Sequence, residues 1–309
     1  MIVAGLVAAG LLLGGDISPL AIGDSYASGT GMGNYSDTLC MRSVDAPIEY
    51  VGDFLGNKPR NVACNGAWTS ELTTERVIKE TRDDVSADSG TETDAAMSEA
   101  RQECQPMEGA RTEFTTEEGT DTITSFCTIT LYPQIEMVEG ATDVFVTIGG
   151  NDIGFSQIAG SCLILTDEAA CEAALEQAED RLPAVIEQER EALAQIMESN
   201  DVRVHVVPYP RMVSTDDLRA GNINVSERVT SFQERWEQDL RDMTQSLSAD
   251  GSIYYVESVA PLWQGHGIGG EDSWINTSGN GAELLHPTPE GWEAMNAAYI
   301  AHLGTIAIE

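Results

Sequence analysis

The chain of 309 residues carries 51 Asp and Glu against 16 Lys and Arg, a net charge of −35 at pH 7. A field of that sign repels polyanions, which excludes nucleic acid and anionic membrane surfaces as partners. Apolar residues still make up 42% of the sequence, enough for a packed core and too many for a globally disordered chain. The acidity is spread along the whole chain, and lysine occurs only at Lys58 and Lys79. Such a surface suits a halophilic protein in concentrated salt, or simply an acidic secreted one.

Six cysteines, Cys40, Cys64, Cys104, Cys127, Cys162 and Cys171, form no C-x-x-C pair, so zinc is a poor explanation and disulfides in an oxidising compartment a better one. Paired in sequence order they would be 24, 23 and 9 residues apart, one of many connectivities that six cysteines allow.

Ile2 to Leu13 is an unbroken apolar run, too short to span a bilayer comfortably. It reads as the h-region of a signal peptide without a basic n-region, a remnant placed at residues 1–15, with one domain over 16–309. Pro19 to Gly23 reads as a buried strand, and Gly23-Asp24-Ser25-Tyr26 puts a hydroxyl at its carboxyl end, the edge where open α/β sheets bind ligands. Taken alone, Ser25 is better explained as a helix cap.

Gly29, Gly31 and Gly33 form a flexible loop, Pro47–Leu55 a helix, and Asn61–Cys64 a second strand that runs into Asn65-Gly66-Ala67-Trp68. Gly66 offers a backbone N–H with no Cβ to obstruct a ligand. From Glu71 to about Thr130, Thr, Glu, Asp and Ser dominate and apolar periodicity fades, which marks an acidic insertion held by one disulfide. It reads as a lid or substrate wall, or as a solvated excursion.

Asp143–Ile148 is strongly strand-like and ends in Gly149-Gly150-Asn151-Asp152, where the glycines permit a sharp turn and the Asn151 amide supplies a donor. Two helices are predicted next, Asp167–Arg181 capped by Thr166, and Pro183–Ser199 with Pro183 in its first turn. Val202–Val207 is a fourth strand, ended by Pro208-Tyr209-Pro210-Arg211. A helix over Ser226–Leu247 and a fifth strand over Ser252–Val256 follow. A last helix, Pro289 to about His302, is capped by Thr288 and leaves His286 in the loop ahead of it. Strands separated by helices or long connections pair in parallel, so the sheet is covered by helices on both faces.

Of the four histidines, His205 falls in an apolar strand as a core or face residue, His302 is structural or solvated in the last helix, and His266 lies in a glycine-rich loop without an obvious partner. His286 is the one that a strand-edge serine can reach. A serine hydroxyl is a weak nucleophile until a base takes its proton, and that base needs a third group to fix its tautomer. Glu283 is a candidate, with a main-chain carbonyl near Leu284 or Glu283, or the distant Asp272, as alternatives. The Ser25 N–H, the Gly66 N–H and the Asn151 side chain would together bind an oxyanion, each donor contributing about 3–4 kcal/mol.

In that order, Gly23-Asp24-Ser25-Tyr26, Gly66, Gly149-Gly150-Asn151-Asp152 and His286-Pro287 resemble the four blocks of the SGNH hydrolases, also called the GDSL lipase/esterase family. Gly23-Asp24-Ser25-Tyr26-Ala27-Ser28-Gly29, Cys40-Met41-Arg42-Ser43, Ala63-Cys64-Asn65-Gly66-Ala67 and Tyr209-Pro210-Arg211 are similar to the family's secreted actinobacterial branch, which has local disulfides. The resemblance implies an α/β fold, a flavodoxin-like three-layer α/β/α sandwich with a five-stranded parallel sheet, and no metal or organic cofactor. It also implies a ping-pong acyl-enzyme mechanism on carboxylic esters, with Ser25 attacking and His286 acting as base and then acid.

Two departures stand out: Glu283 occupies the position of the family's usual Asp, and the insertion at about 71–130 is not required by the core fold. The expected protein is a secreted serine ester hydrolase of the lipase/esterase type. It would act as a monomer on small-molecule or lipid esters, without nucleic acid or stable membrane insertion. An O-acetyl esterase acting on polysaccharide is the alternative within the same chemistry, weakened by an aromatic content of only 6%. A non-catalytic surface protein that binds glycan or lipid is the alternative of another class.

Overall fold

The computed structural model describes residues 18–306 apart from 87–89, 249–250, 279–280 and 282. The signal-peptide reading of residues 1–15 lies outside them. Five short strands form one parallel sheet: β1 (Pro19–Gly23), β2 (Arg60–Asn61), β3 (Asp143–Thr147), β4 (Arg203–Val206) and β5 (Ile253–Tyr255), in the spatial order β5-β4-β3-β1-β2. Every residue of β1 and β3 is buried. A parallel strand covered on both faces requires this, and it explains why these segments read as apolar runs without alternation.

Among the described residues, four helices of nine residues or more cover the sheet: α1 (Pro47–Leu55), α2 (Glu168–Ser199), α3 (Val225–Leu247) and α4 (Pro289–Ile306). α1 packs on α4, and α2 on α3. The strand order reverses between β1 and β3, so right-handed crossovers carry α1 to one face and α2 and α3 to the other. The result is the expected α/β/α sandwich. Its strand order is that of flavodoxin-like sheets, whose ligand crevice opens at the carboxyl ends of the strands flanking the reversal, here β1 and β3.

His205 on β4 is fully buried. Its ring nitrogens lie 3.0 Å from Asp143 Oδ1 and 2.9 Å from His302 Nε2 on α4. Both are core residues, and His302 is buried rather than solvated. Thr288 caps α4, its hydroxyl accepting the Gly291 N–H at 3.3 Å.

Sequence and structure differ at Pro183. In place of two helices there is one 32-residue helix, α2, running through it. Leu175, Ala178, Leu182, Val185, Ala192, Leu193 and Ile196 form one buried stripe on both sides of the proline, which sits on the exposed face. Burying each Leu or Val contributes about 1.5–3 kcal/mol, and several together outweigh the roughly 3 kcal/mol cost of an interior proline. The cap is also displaced: Asp167 accepts the Ala170 N–H at 2.8 Å, while Thr166 lies outside the helix with φ 50°.

Residues 71–137 form a second compact unit. Within it the strands Arg76–Ser86, Thr122–Leu131 and Ala110–Glu118 make an antiparallel sheet with Thr122–Leu131 in the centre, and Gly90–Glu103 is helical. The faded apolar periodicity therefore conceals regular structure. Threonine, a strong strand former, carries much of the pattern in place of aliphatic residues. The unit's core is small: the Cys104–Cys127 disulfide and Ile129, with Ile78, Met107, Ala110 and Phe114 packed against them.

The other disulfides are Cys40–Cys64 and Cys162–Cys171, so all three pairs follow sequence order. Among the described residues no helix is long and apolar enough to cross a membrane.

Replacing Pro183 restores a backbone donor on the exposed face of α2. Pro183→Ala is expected to raise the unfolding free energy by about 1–3 kcal/mol, read from the denaturant midpoint. An unchanged midpoint would show that α2 bears no cost at this position.

Candidate active site

At the carboxyl ends of β1 and β3 the two chains come into close contact. A Cβ on Gly23 would lie 2.0 Å from the Thr147 carbonyl oxygen, and Gly23 has φ 124°, so only glycine fits. The Asp24 N–H then donates to that carbonyl at 2.9 Å. Asp24 also caps the helical turn Ser25–Ser28 through its Oδ1, which accepts the Tyr26 N–H at 3.0 Å. Ser25 begins this turn at the switch point of the sheet. The sequence's two readings of the position, cap and strand-edge hydroxyl, thus divide between Asp24 and Ser25.

The chain after β2 stays extended beside β1, Val62 and Cys64 donating to Ala21 and Gly23 at 3.0 Å each. It is also held from outside by the buried Arg42 guanidinium, which donates to the carbonyls of Ala63 at 2.7 Å and Val62 at 3.0 Å, and by the Cys40–Cys64 disulfide. These restraints fix the turn at Gly66, whose φ is 73°. The next residue supplies a link to β3: Asn151 Nδ2 donates to the Ala67 carbonyl at 2.8 Å. One of the two amide protons is thereby engaged and the side chain is oriented. Asp152 ties down the same loop, its Oδ2 accepting the Thr69 N–H at 2.9 Å and the Thr69 hydroxyl at 3.1 Å.

His286 arrives from a third direction. Its loop is laced to the segment 274–276: Asn276 N–H to the His286 carbonyl at 2.9 Å, Leu285 N–H to the Asn276 carbonyl at 2.7 Å, and Thr288 N–H to the Trp274 carbonyl at 2.8 Å. Leu285 takes φ 69° and points its carbonyl at the Tyr26 hydroxyl, which donates to it at 2.6 Å. The imidazole packs 5.1 Å from the Tyr26 ring, centroid to centroid. Ser25, Asn151 and His286 line one cleft, together with Phe155, Tyr209 and Leu284.

Gly66 stands next to this group through Ala67. Glu283 meets His286 through the main chain, its carbonyl accepting the His286 N–H at 3.2 Å. The alternative acid Asp272 is engaged elsewhere: its carbonyl lies 2.9 Å from His266 Nδ1, and its Oδ2 accepts the Trp274 indole N–H at 3.2 Å. His266, which the sequence left without a partner, stacks on Trp274 at 3.4 Å.

Three electrostatically coupled carboxyl groups, Asp24 in the cleft wall, Asp152 and Glu189, were missed by sequence reasoning as a cluster. Burial raises Asp24 to about 7, against the pull of hydrogen bonds from Tyr209 and Tyr26, with the charge of Asp152 adding to the rise. Burial raises Glu189 on α2 to about 8, helped by the charges of Asp152 and Asp24. Asp152 is itself raised by burial, against its bonds to Thr69. Burial, reinforced by the charge of Asp152, therefore favours the neutral forms of Asp24 and Glu189. The clue in the sequence was faint: Glu189 falls on the apolar stripe of α2. Among the described residues no cluster of His, Cys, Asp or Glu is arranged to hold a metal ion.

The α/β/α sandwich with this five-stranded parallel sheet is the fold of SGNH-type lipases and esterases. Solved structures agree. Phospholipase A1 from Streptomyces albidoflavus NA297 superposes with a TM-score of 0.60 at 21% identity, covering 94% of this chain and 99% of that one. The extracellular lipase of Streptomyces rimosus gives 0.59 at 21% identity, with the same coverage. In sequence, the chain is 24% identical to a lipase from Streptomyces rimosus over 281 residues, 88% of this chain and 81% of that protein. No family model matches the sequence.

The burial of Glu189 predicts a pH-dependent stability. Glu189 has a higher value folded, about 8, than its ordinary 4.5, so ionisation opposes folding. Wild type should lose stability relative to Glu189→Gln as pH rises through that window, with the loss complete above it. Denaturant titrations are expected to show similar stability near pH 5 and a variant more stable by a few kcal/mol near pH 9. Parallel curves at both pH values would mean that Glu189 is not held neutral.

Proposed function

We propose that this chain is a secreted serine hydrolase that cleaves carboxylic acyl esters through an acyl-enzyme. The observation that carries the reading is that Ser25, Asn151 and His286, from three distant parts of the sequence, line one cleft at the switch point. Ser25 Oγ attacks the ester carbonyl carbon as His286 accepts its proton. The oxyanion that forms is held by the Ser25 N–H, the Gly66 N–H and the Asn151 amide. Collapse of the intermediate breaks the acyl–oxygen bond, and the leaving alkoxide takes the proton from His286. Water repeats the sequence on the acyl-enzyme, releasing the acid and regenerating Ser25.

The substrates are lipid or other small acyl esters, in keeping with relatives named lipase and phospholipase A1. Three disulfides support an oxidising, extracellular setting. The acidic surface favours neutral over anionic substrates, and the enzyme acts as a monomer without a metal or organic cofactor.

A series of p-nitrophenyl esters from acetate to palmitate tests the reaction. Wild type is expected to turn over the series and Ser25→Ala to lose about a thousandfold or more. An optimum at acetate would move the assignment to an O-acetyl esterase. Folded but equally inactive wild type and variant would leave a glycan- or lipid-binding protein.

We propose that the Glu283 carboxylate orients His286, to which Glu283 is already bound through its main-chain carbonyl. Glu283→Gln is expected to lower kcat on the order of a hundredfold or more, because the tautomer is no longer fixed by a carboxylate. Full activity in this variant would transfer the role to a main-chain carbonyl.

A further inference from the structure

Tyr209 follows β4 and is almost wholly buried, 6% exposed. Its hydroxyl stands between two of the site's loops. It accepts the Gly150 N–H at 2.9 Å and donates to Asp24 Oδ2 through a short hydrogen bond. The approach to Gly150 is close enough that a Cβ there would fall 2.9 Å from the phenolic oxygen. The ring is fixed edge-on to Tyr26 at 5.0 Å and against Trp236 at 4.9 Å. Gly150 immediately precedes Asn151, and Asp24 immediately precedes Ser25.

We propose that Tyr209 is a positioning residue for the hydrolytic reaction: its hydroxyl sets the Ser25 turn against the Asn151 loop, and through Asp24 it makes that alignment depend on protonation. The inference rests on the serine-hydrolase reading of the same cleft.

The direction of the hydrogen bonds carries the argument. A phenol has one proton. With Gly150 N–H occupying a lone pair of the oxygen, that proton is committed to Asp24 Oδ2, while Asp24 Oδ1 accepts the Tyr26 N–H. Both carboxyl oxygens are therefore needed as acceptors. A proton on Oδ2 turns the acceptor of the tyrosine proton into a hydroxyl with one lone pair fewer, and one on Oδ1 does the same to the acceptor of the Tyr26 amide. In either case a buried donor is left with a weaker acceptor, which is costly where water cannot compensate.

The groups facing Asp24 set when this happens. They are Tyr209 after β4, Asp152 after β3, Glu189 on α2, Tyr299 on α4 and Tyr26 in its own turn. Burial and the acids favour the neutral carboxyl, and the Tyr209 hydrogen bond favours the ionised one. Losing the phenol should thus have two effects, looser alignment at every pH and earlier protonation of Asp24 as pH falls.

The test uses the full chain. Wild type, Tyr209→Phe and Asp24→Asn are compared by pH profiles of kcat and KM on a p-nitrophenyl ester, with circular dichroism as a check on folding. Near pH 8, Tyr209→Phe is expected to lower kcat by about a hundredfold with KM essentially unchanged, as a misaligned reacting geometry does. Its acid limb should move to higher pH. In wild type the acid limb of log(kcat/KM) should steepen towards two protons, and in Asp24→Asn it should follow one.

A Tyr209→Phe enzyme with wild-type kcat, or with a lowered kcat but an unmoved acid limb, would overturn the proposal. If that variant does not fold, the slopes of wild type and Asp24→Asn decide, and equal slopes overturn it. Labelling with a fluorophosphonate, located by mass spectrometry, tests the underlying reading separately. Label absent from Ser25 would remove the serine hydrolase, whereas label on Ser25 with an unmoved limb removes only the role of Tyr209.

Discussion

The contact between the carboxyl ends of β1 and β3 is the constraint on which the site depends. Parallel strands in register bring Gly23 beside Thr147, and the absence of a side chain on Gly23 lets the chain after β1 turn across the end of β3. Without that close approach Asp24 could not bond to Thr147, and the turn beginning at Ser25 would have no fixed relation to the loop carrying Asn151. Flanking restraints extend the same geometry outward: Arg42 and the Cys40–Cys64 disulfide on the Gly66 side, and the lacing of residues 274–276 on the His286 side.

Hydroxyl groups do the long-range joining. Tyr26 reaches the carbonyl of Leu285, beside His286, and Tyr209 reaches both Asp24 and Gly150. The two rings pack edge to face, so the segments carrying Ser25, Asn151 and His286 are tied through one aromatic pair. The packing that gives this rigidity also removes Asp24 and Glu189 from water, and their raised values follow from it. Rigidity and sensitivity to pH thus share one cause.

How far this could be read in the sequence depended on the range of the interaction. The placement of residues adjacent to a strand was legible: Ser25 follows β1 and Asn151 follows β3, each marked by glycine and a change of texture. The placement of His286 in the same cleft was reached by elimination against three other histidines. The pairing of Tyr209 with Asp24 spans 185 positions and leaves no local trace, so Tyr209 was visible only as part of a motif.

Pro183 misled because the local rule about proline is sound, and only the buried stripe on both sides of it shows why it is overridden. The sheet of residues 71–137 was hidden because its alternation is written in threonine. Local cysteine spacing suggested the disulfides, yet only the fold selected among the connectivities.

The interruption of the parallel sheet by residues 71–137 fixes the order in which the molecule can be assembled. Leu20 pairs with Val144, and the stretch between them includes a unit with its own core and disulfide. On a growing chain, β1 emerges early but its central partner only after that whole unit, so the long-range closure of the sheet is postponed while local contacts within the unit form. His286 comes later still. A nascent chain therefore carries Ser25 without His286 for most of its synthesis, and the cleft gains its full set of lining groups only at a late stage of folding.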